Sequence, residues 1–401
     1  MIRGLKLLAA GLLCLALLAG SAAAAAEVTA KETVEKGRVT RVEWQDAAGN
    51  AAAGPEGYAE IRYTYQNQDT TERYYNADGT PYMMQGGYYG RTVTQDGKKQ
   101  ITSIWYLDEN GEITANSLGY ARVKMTYTSF GGIRFVGYYG ADKKPVTVPS
   151  LGYAAITTEF SGKTVSSRTW EDENGKPVDN NQGFAIMKQK LNKQYQPVRT
   201  RYYHADESPA TGPDGWSLCV RERDGKNRVT SIQFFDTAEQ PTDQGTGFAR
   251  EDIRYDGKDE LTTRYDAAGN TVTIFGDAVT MLRKKDKEDR ITSETYLDAA
   301  GNATEGPMGC STVSYGYDYL GRIETVRYQN AAGESTLCSE GYAGYRDSRD
   351  EDGTIISRTY LGTDGNPMEI PGGYSEERYI YDERKQLAET RRYNLSGNVV
   401  R

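Results

Sequence analysis

Few residues in this chain have side chains suited to chemistry. There is one histidine, His204. Without a second histidine or a Cys/His spacing that holds zinc, tetrahedral metal sites and Ser-His or Cys-His nucleophiles are excluded. His204 occupies a turn slot that holds Asp or Asn in most other copies of a repeat, and it reads as a turn substitution. Glycoside hydrolysis needs only two acids at a set separation. Every conspicuous acid here, however, recurs as part of a turn, as in 108–111 or 350–353. A unique active site should interrupt the repeat, and none does, so no enzyme activity is expected. Asp347, Asp350 and Asp352 offer the oxygens calcium takes. They lack the spacing of a calcium loop and are not repeated, so they read as a solvated acidic turn. No metal and no cofactor is expected.

Three cysteines lie beyond the N-terminal leader: Cys219, Cys310 and Cys338. Cys310 opens one repeat and Cys338 precedes the next, which makes them a candidate disulfide across adjacent connections in an exported protein. Three unpaired small apolar residues is the other reading, because spacing alone does not set connectivity. Cys219 has no candidate partner.

What positions these residues is a repeat. A turn begins at Asp46, Asn76, Asp108, Gly140, Asp172, His204, Asp236, Asp266, Asp298, Asn330, Gly362 and Asn394, at intervals of 32 residues with two of 30. Three places on stands Gly, except at Lys143, Glu207 and Glu239. Two places before the turn runs an aromatic ladder: Trp44, Tyr74, Tyr106, Tyr138, Trp170, Tyr202, Phe234, Tyr296, Tyr328 and Tyr360, broken by Arg264 and Arg392. A fixed period of this length marks units that bury each other's faces.

Within a unit the pattern alternates. Tyr58, Glu60, Arg62 and Thr64 share one face of a strand, and Ala59, Ile61, Tyr63 and Tyr65 the other. A first turn rich in Asp and Gly follows, as at Asp96-Gly97 and Asp224-Gly225. An aliphatic residue (Ile101, Val229, Ile291, Ile323 or Ile355) then opens a second strand. Proline after the second turn ends strand pairing at Pro81, Pro145, Pro177, Pro209, Pro241 and Pro367. The expected class is all-β: tandem β-hairpin repeats with a period of about 32 residues, forming an elongated, coiled or spiral antiparallel sheet. Residues 1–26 read as a signal peptide, with Arg3 and Lys6, an apolar stretch from Leu7 to Leu18, and small residues up to Ala26. Residues 27–401 read as a single array of about twelve hairpins.

Composition agrees. The chain carries 48 Lys+Arg and 56 Asp+Glu, and the leader holds two of the bases, which leaves 46 − 56 = −10. That balance argues against nucleic acid or an anionic bilayer as partner. The 31 tyrosines are a heavy load for a polar chain, and they suit a thin sheet because the ring covers apolar area while the hydroxyl stays wet.

The aromatic ladder reads as a structural spine. A second series opens each repeat: Tyr58, Tyr88, Tyr120, Tyr153, Phe184, Trp216, Phe248, Tyr342 and Tyr374. Alternation places these rings on the face that holds Arg and Glu. There they are candidates to stack on sugar faces or cationic groups; the other reading has them covering the neighbouring connection.

The segments Tyr317-Asp-Tyr-Leu-Gly-Arg-Ile323 and Tyr265-Asp-Ala-Ala-Gly-Asn270 resemble the YD repeats of Rhs-type proteins, whose strands form a β-sheet shell around a cargo. Trp105-Tyr-Leu-Asp-Glu-Asn-Gly-Glu-Ile113, followed by Gly119-Tyr120, is similar to the aromatic hairpins of choline-binding and related cell-wall-binding modules. The second resemblance implies ligands held between neighbouring hairpins. The expected function is accordingly that of a secreted or surface-associated bacterial protein without catalysis, binding cell-wall or host glycans through many weak aromatic contacts. A structural shell or spacer of the Rhs type is the alternative, and a polysaccharide-active enzyme a more distant one.

Overall fold

The computed structural model describes residues 28–382 and 385–400; the leader expected over 1–26 lies outside them. Every regular element among the described residues is a strand, from Thr29–Glu35 to Val399–Val400, twenty-five in all. The chain divides into two units, residues 1–124 with 140–143 and residues 125–139 with 144–401. In both, antiparallel hairpins pair with their neighbours in chain order, which is the expected fold class. In the first unit Thr29–Glu35 pairs with Arg38–Gln45, which passes the ladder on to Glu60–Gln66. In the second, Gly344–Arg349 pairs with Ile355–Leu361, which passes it on to Glu376–Tyr381.

Three turns punctuate each unit. At the hairpin turn, the two shorter intervals close tightly and without a bulge: Gln66 pairs directly with Asp69, and Asp256 with Asp259. The usual form carries two more residues and a bulge, as between Thr94 and Gln95, which is why most intervals are 32 rather than 30. At the second turn the leading Asp works as a cap. Asp298 Oδ1 accepts from the amides of Ala300 (2.9 Å) and Asn302 (2.8 Å), and the Gly301 amide donates to Asp298 O at 3.0 Å. Lys143, Glu207 and Glu239, which stand where the other copies have Gly, adopt the same left-handed backbone, with φ of 67°, 65° and 59°. The turn's backbone bonds, not the glycine, therefore set the geometry.

These caps also make the fold acid-sensitive. The carboxyls of Asp46, Asp172, Asp224, Asp298 and Asp318 are held below their ordinary range, first of all by the backbone amide four residues on. A lowered folded-state value means that the stabilisation is present above the ordinary carboxylate value and is lost as pH falls through the folded one. The expected result is a melting temperature that is level down to about pH 5 and drops below about pH 4. A flat profile to lower pH would show that the caps contribute nothing.

A third turn lies in the connection, where Asn116 N donates to Tyr120 O (2.9 Å) and Gly119 N to Asn116 O (3.0 Å). It returns the chain into the next first strand, and its Gly takes a positive φ, as at Gly119 (89°) and Gly215 (83°). The proline expected to end pairing sits in single bridges instead, such as Tyr75 with Pro81 and Tyr203 with Pro209.

Pairing inside a hairpin runs for six or seven residues, but most neighbouring hairpins share only three pairs, as from Ser357–Arg378 to Thr359–Glu376. Backbone pairing between units is therefore short, and side chains must supply the rest of the cohesion. On the polar face, threonines bond across hairpins: Thr71 to Thr92 (2.9 Å), Thr263 to Thr280 (2.8 Å) and Thr295 to Thr312 (2.9 Å). The core lies at the other end, where the opening aromatics and the residues just after them are buried. That following slot holds Ala59, Ala121, Ala154, Ala185, Ala249 and Ala343, and serine at Ser217, Ser311 and Ser375. Ser217 is fully buried and its hydroxyl has no hydrogen-bond partner. Ser217→Ala should leave stability unchanged or raise it by about 1 kcal/mol, read as a urea midpoint. A loss of that size would mean the hydroxyl is satisfied.

Candidate functional site

The two aromatic series, separate in the sequence, interleave into runs of rings within each unit. In the first unit the rings run Tyr58, Tyr74, Tyr88, Tyr106, Tyr120, with centroids 5.1, 6.3, 4.8 and 5.8 Å apart. The second unit holds three such runs. Tyr138 meets Tyr153 at 6.2 Å. Trp170, Phe184, Tyr202, Trp216, Phe234 and Phe248 follow one another at 4.8 to 5.7 Å. Tyr328, Tyr342, Tyr360 and Tyr374 do so at 4.8 to 5.9 Å. Ladder and opening rings alternate, and most are tilted or edge-on, the arrangement aromatic quadrupoles favour.

All nine opening residues stand in these runs. Tyr120, Tyr153, Phe184, Trp216 and Tyr342 are buried, and Tyr58, Tyr88, Phe248 and Tyr374 half-buried. Period-2 alternation placed them on the charged face, and that placement does not hold. The opening residue precedes the strand, and the glycine before it turns the chain with a positive φ, so the strand's alternation does not extend back to it. Glycines in the connections make room for the rings. A Cβ on Gly54 would lie 2.5 Å from Trp44, on Gly212 2.3 Å from Tyr202, and on Gly306 2.4 Å from Tyr296.

Three of the phenols bond to carboxylates within the sheet. Tyr74 donates to Glu72 (2.8 Å), which also takes Arg91 Nε at 2.6 Å; Tyr342 donates to Glu340 (2.7 Å) and Tyr360 to Glu377 (3.1 Å). Burial pushes the Tyr58 hydroxyl up to about 12, with Glu56 and Glu72 adding to the effect. The two breaks in the ladder also have an explanation. Arg264 and Arg392 each face a glutamate in register, Glu251 (2.8 Å) and Glu377 (3.1 Å). Each guanidinium lies over the opening ring, 4.5 Å from Phe248 and 4.8 Å from Tyr374, and so fills the aromatic's place.

The remaining sequence candidates resolve as follows. Cys219, Cys310 and Cys338 are all free and buried, which is the unpaired reading rather than the candidate Cys310–Cys338 bridge, although both of those thiols belong to one core cluster. Burial pushes the Cys310 and Cys219 thiols up to about 11, which makes them poor nucleophiles. Asp347 is not in a solvated turn. It lies buried in the strand Gly344–Arg349, with both oxygens held by Arg358 (2.8 and 3.0 Å). Asp350 caps its turn through Thr354 N, and Asp352 pairs with Lys385 at 2.8 Å. His204 does sit in a turn, where its Nδ1 lies 2.6 Å from Asp179 of the preceding connection. Among the described residues no group of acidic, Cys or His side chains is placed to hold a metal.

Sequence reasoning missed a second set of contacts between repeats. The tyrosine ending the first strand donates to the carbonyl of the aliphatic residue 26 positions earlier. Tyr65 reaches Val39 O (2.7 Å), Tyr255 Val229 O (2.9 Å), Tyr317 Ile291 O (2.5 Å) and Tyr381 Ile355 O (2.9 Å). The arginine opening that earlier strand stacks on the same ring, Arg228 on Tyr255 at 3.8 Å and Arg290 on Tyr317 at 4.7 Å. Each of these arginines pairs in turn with its own turn aspartate, Asp224 and Asp286, at 2.7 and 2.6 Å. The Y-D and D-x-x-x-R spacings carried this signal.

Fold and site define the class: a tandem β-hairpin repeat protein whose neighbouring repeats are held together by side chains. No family model matches the chain, and no curated protein matches it. Among solved structures, it is similar to that of TcdB2-TccC3-TEV, at 12% identity and a TM-score of 0.29, over 93% of this chain. It spans 22% of that chain. It is also similar to a porin-like protein from Bacteroides uniformis, at 8% identity and a TM-score of 0.22, over 75% of this chain and 88% of that one.

Proposed function

We propose that this chain is a structural element, a shell or spacer wall of the Rhs/YD kind, exported through the leader over 1–26 and without catalytic activity. The observation that supports it is the packing of the aromatic rings. Every opening residue expected to hold glycan packs against ladder rings, within its own hairpin, as Tyr88 does on Tyr106, or on the hairpin before, as Trp216 does on Tyr202. The motif residues work in the same direction. In Tyr317-Asp-Tyr-Leu-Gly-Arg-Ile323, Tyr317 reaches the preceding repeat, and Asp318 caps the amides of Leu320 and Arg322 at 2.9 Å. The Arg322 guanidinium returns to Asp318 at 2.7 Å. Each of these motif residues joins or closes a repeat. Among the described residues no helix is long and apolar enough to cross a membrane.

The test is Phe184→Ala in the full chain, read by urea unfolding and by retention on purified cell walls. A wall element should lose stability and show no retention that depends on Phe184. An unchanged unfolding midpoint with loss of wall retention would overturn the structural reading in favour of adhesion through the opening rings.

A further inference from the structure

One aromatic cluster lies away from these runs of rings, at the hairpin tips of the second unit. Phe130, in the turn at 128–132, meets Phe160 edge-on at 5.3 Å, reaching toward the tip of the next hairpin. From the far side, Tyr195 leans onto the same tip, and a Cβ on Gly162 would lie 3.1 Å from its ring. These rings stay open to solvent: Phe130 is 40% and Tyr195 51% exposed. Left-handed backbone at Tyr195 (φ 59°) holds its ring out over a turn, a conformation that costs a bulky residue more than it would Gly or Asn. Tyr195 therefore occupies a strained turn position without gaining burial there.

Charge at these tips is equally distinctive. Lys163, Lys193 and Lys226 stand exposed on three successive tips. The turns at 128–132, 161–163, 192–196 and 224–228 hold a single acid, Asp224, and it is taken up by Arg228 at 2.7 Å. Later tips, such as 256–260 and 350–354, are acidic. In a chain whose net charge is negative, this is a local cationic and aromatic strip. Successive tips lie two inter-strand spacings apart, about 10 Å.

The geometry points to a binding strip for an acidic polysaccharide, with Phe130, Phe160 and Tyr195 stacking on sugar faces and Lys163, Lys193 and Lys226 meeting uronate carboxylates. Open rings beside cations suit a ligand that is apolar on its faces and anionic at intervals. Single lysines on three successive tips match the sparse charge of a uronate chain. Nucleic acid carries its charges far more densely and rewards clustered bases. The strip draws on none of the residues in the ring runs, so it adds a binding surface to the wall without competing with its cohesion.

The experiment measures binding of the full chain to polygalacturonate, with dextran and single-stranded oligothymidylate as comparison polymers, at low and high salt. Polygalacturonate should bind, more weakly as salt rises, while dextran should not. Tyr195→Ala should weaken binding roughly tenfold, the equivalent of one well-formed ring contact. Lys163→Gln, Lys193→Gln and Lys226→Gln combined should abolish it, and all variants should melt as the parent does. Absence of polygalacturonate binding, equal binding of dextran, tighter binding of oligothymidylate, or binding indifferent to these variants would each overturn the proposal.

Discussion

Trp216→Ala is expected to destabilise the protein by about 3–5 kcal/mol, the range for truncating a buried large aromatic. The ring is 6% exposed and touches rings on both sides, Tyr202 at 5.2 Å and Phe234 at 5.7 Å. Part of the cost is lost apolar burial and part the cavity left between two rings that cannot close on each other. The cavity cannot relax by collapse of the connections, because their backbones already touch. A Cβ on Gly215 would lie 2.8 Å from Gln244 O, and one on Gly245 2.0 Å from Asp214 O. Tyr319→Ala is the control, since that ring sits on a tip and is 91% exposed. It should leave the urea midpoint within about 0.5 kcal/mol of the parent. In a repeat array each unit leans only on its neighbours. Hydrogen exchange should therefore show the opening concentrated between about residues 185 and 250. An unchanged midpoint for Trp216→Ala would remove the ring runs as the source of cohesion.

Arg358→Ala is expected to cost a similar amount, about 3–5 kcal/mol, for an electrostatic reason. Asp347 is 5% exposed, and both of its oxygens are held by the one guanidinium. Arg358 in turn lies on the Tyr345 ring, 3.8 Å from its centre. Removing the arginine leaves a carboxylate out of water with no donor, which is far costlier than losing the pair as a whole. The double variant Asp347→Ala with Arg358→Ala should therefore be more stable than Arg358→Ala alone. A double-mutant cycle read from urea midpoints separates the pair from the stacking on Tyr345. Additive single effects would mean that the two side chains do not depend on each other.

Much of this was visible in order of residues alone. The turn at Asp298 to Gly301 and the aliphatic residue at Ile291 gave the hairpin. The spacing of the ladder from Trp44 to Tyr360 gave the repeat. These are local features, set by which side chains cap amides, tolerate a turn or alternate along a strand, and neighbouring residues suffice to define them. Asp347 shows where such reading stops. Its neighbours Asp350 and Asp352 suggested an acidic turn, but the arginine that buries it lies on the partner strand, 11 residues away.

The opening aromatics mark the same boundary more sharply. From the chain alone, Trp216 and Trp170 belonged to two series with two roles. A glycine with left-handed backbone before each opening ring swings it out of the strand's alternation and between the ladder rings of adjoining hairpins. Sequence thus determined the unit, its length and its turns, because these depend on contacts within a few residues. Only the tertiary structure decided which rings face water, because a ring's exposure depends on the neighbouring repeat, and that repeat's position is set by packing about 30 residues away.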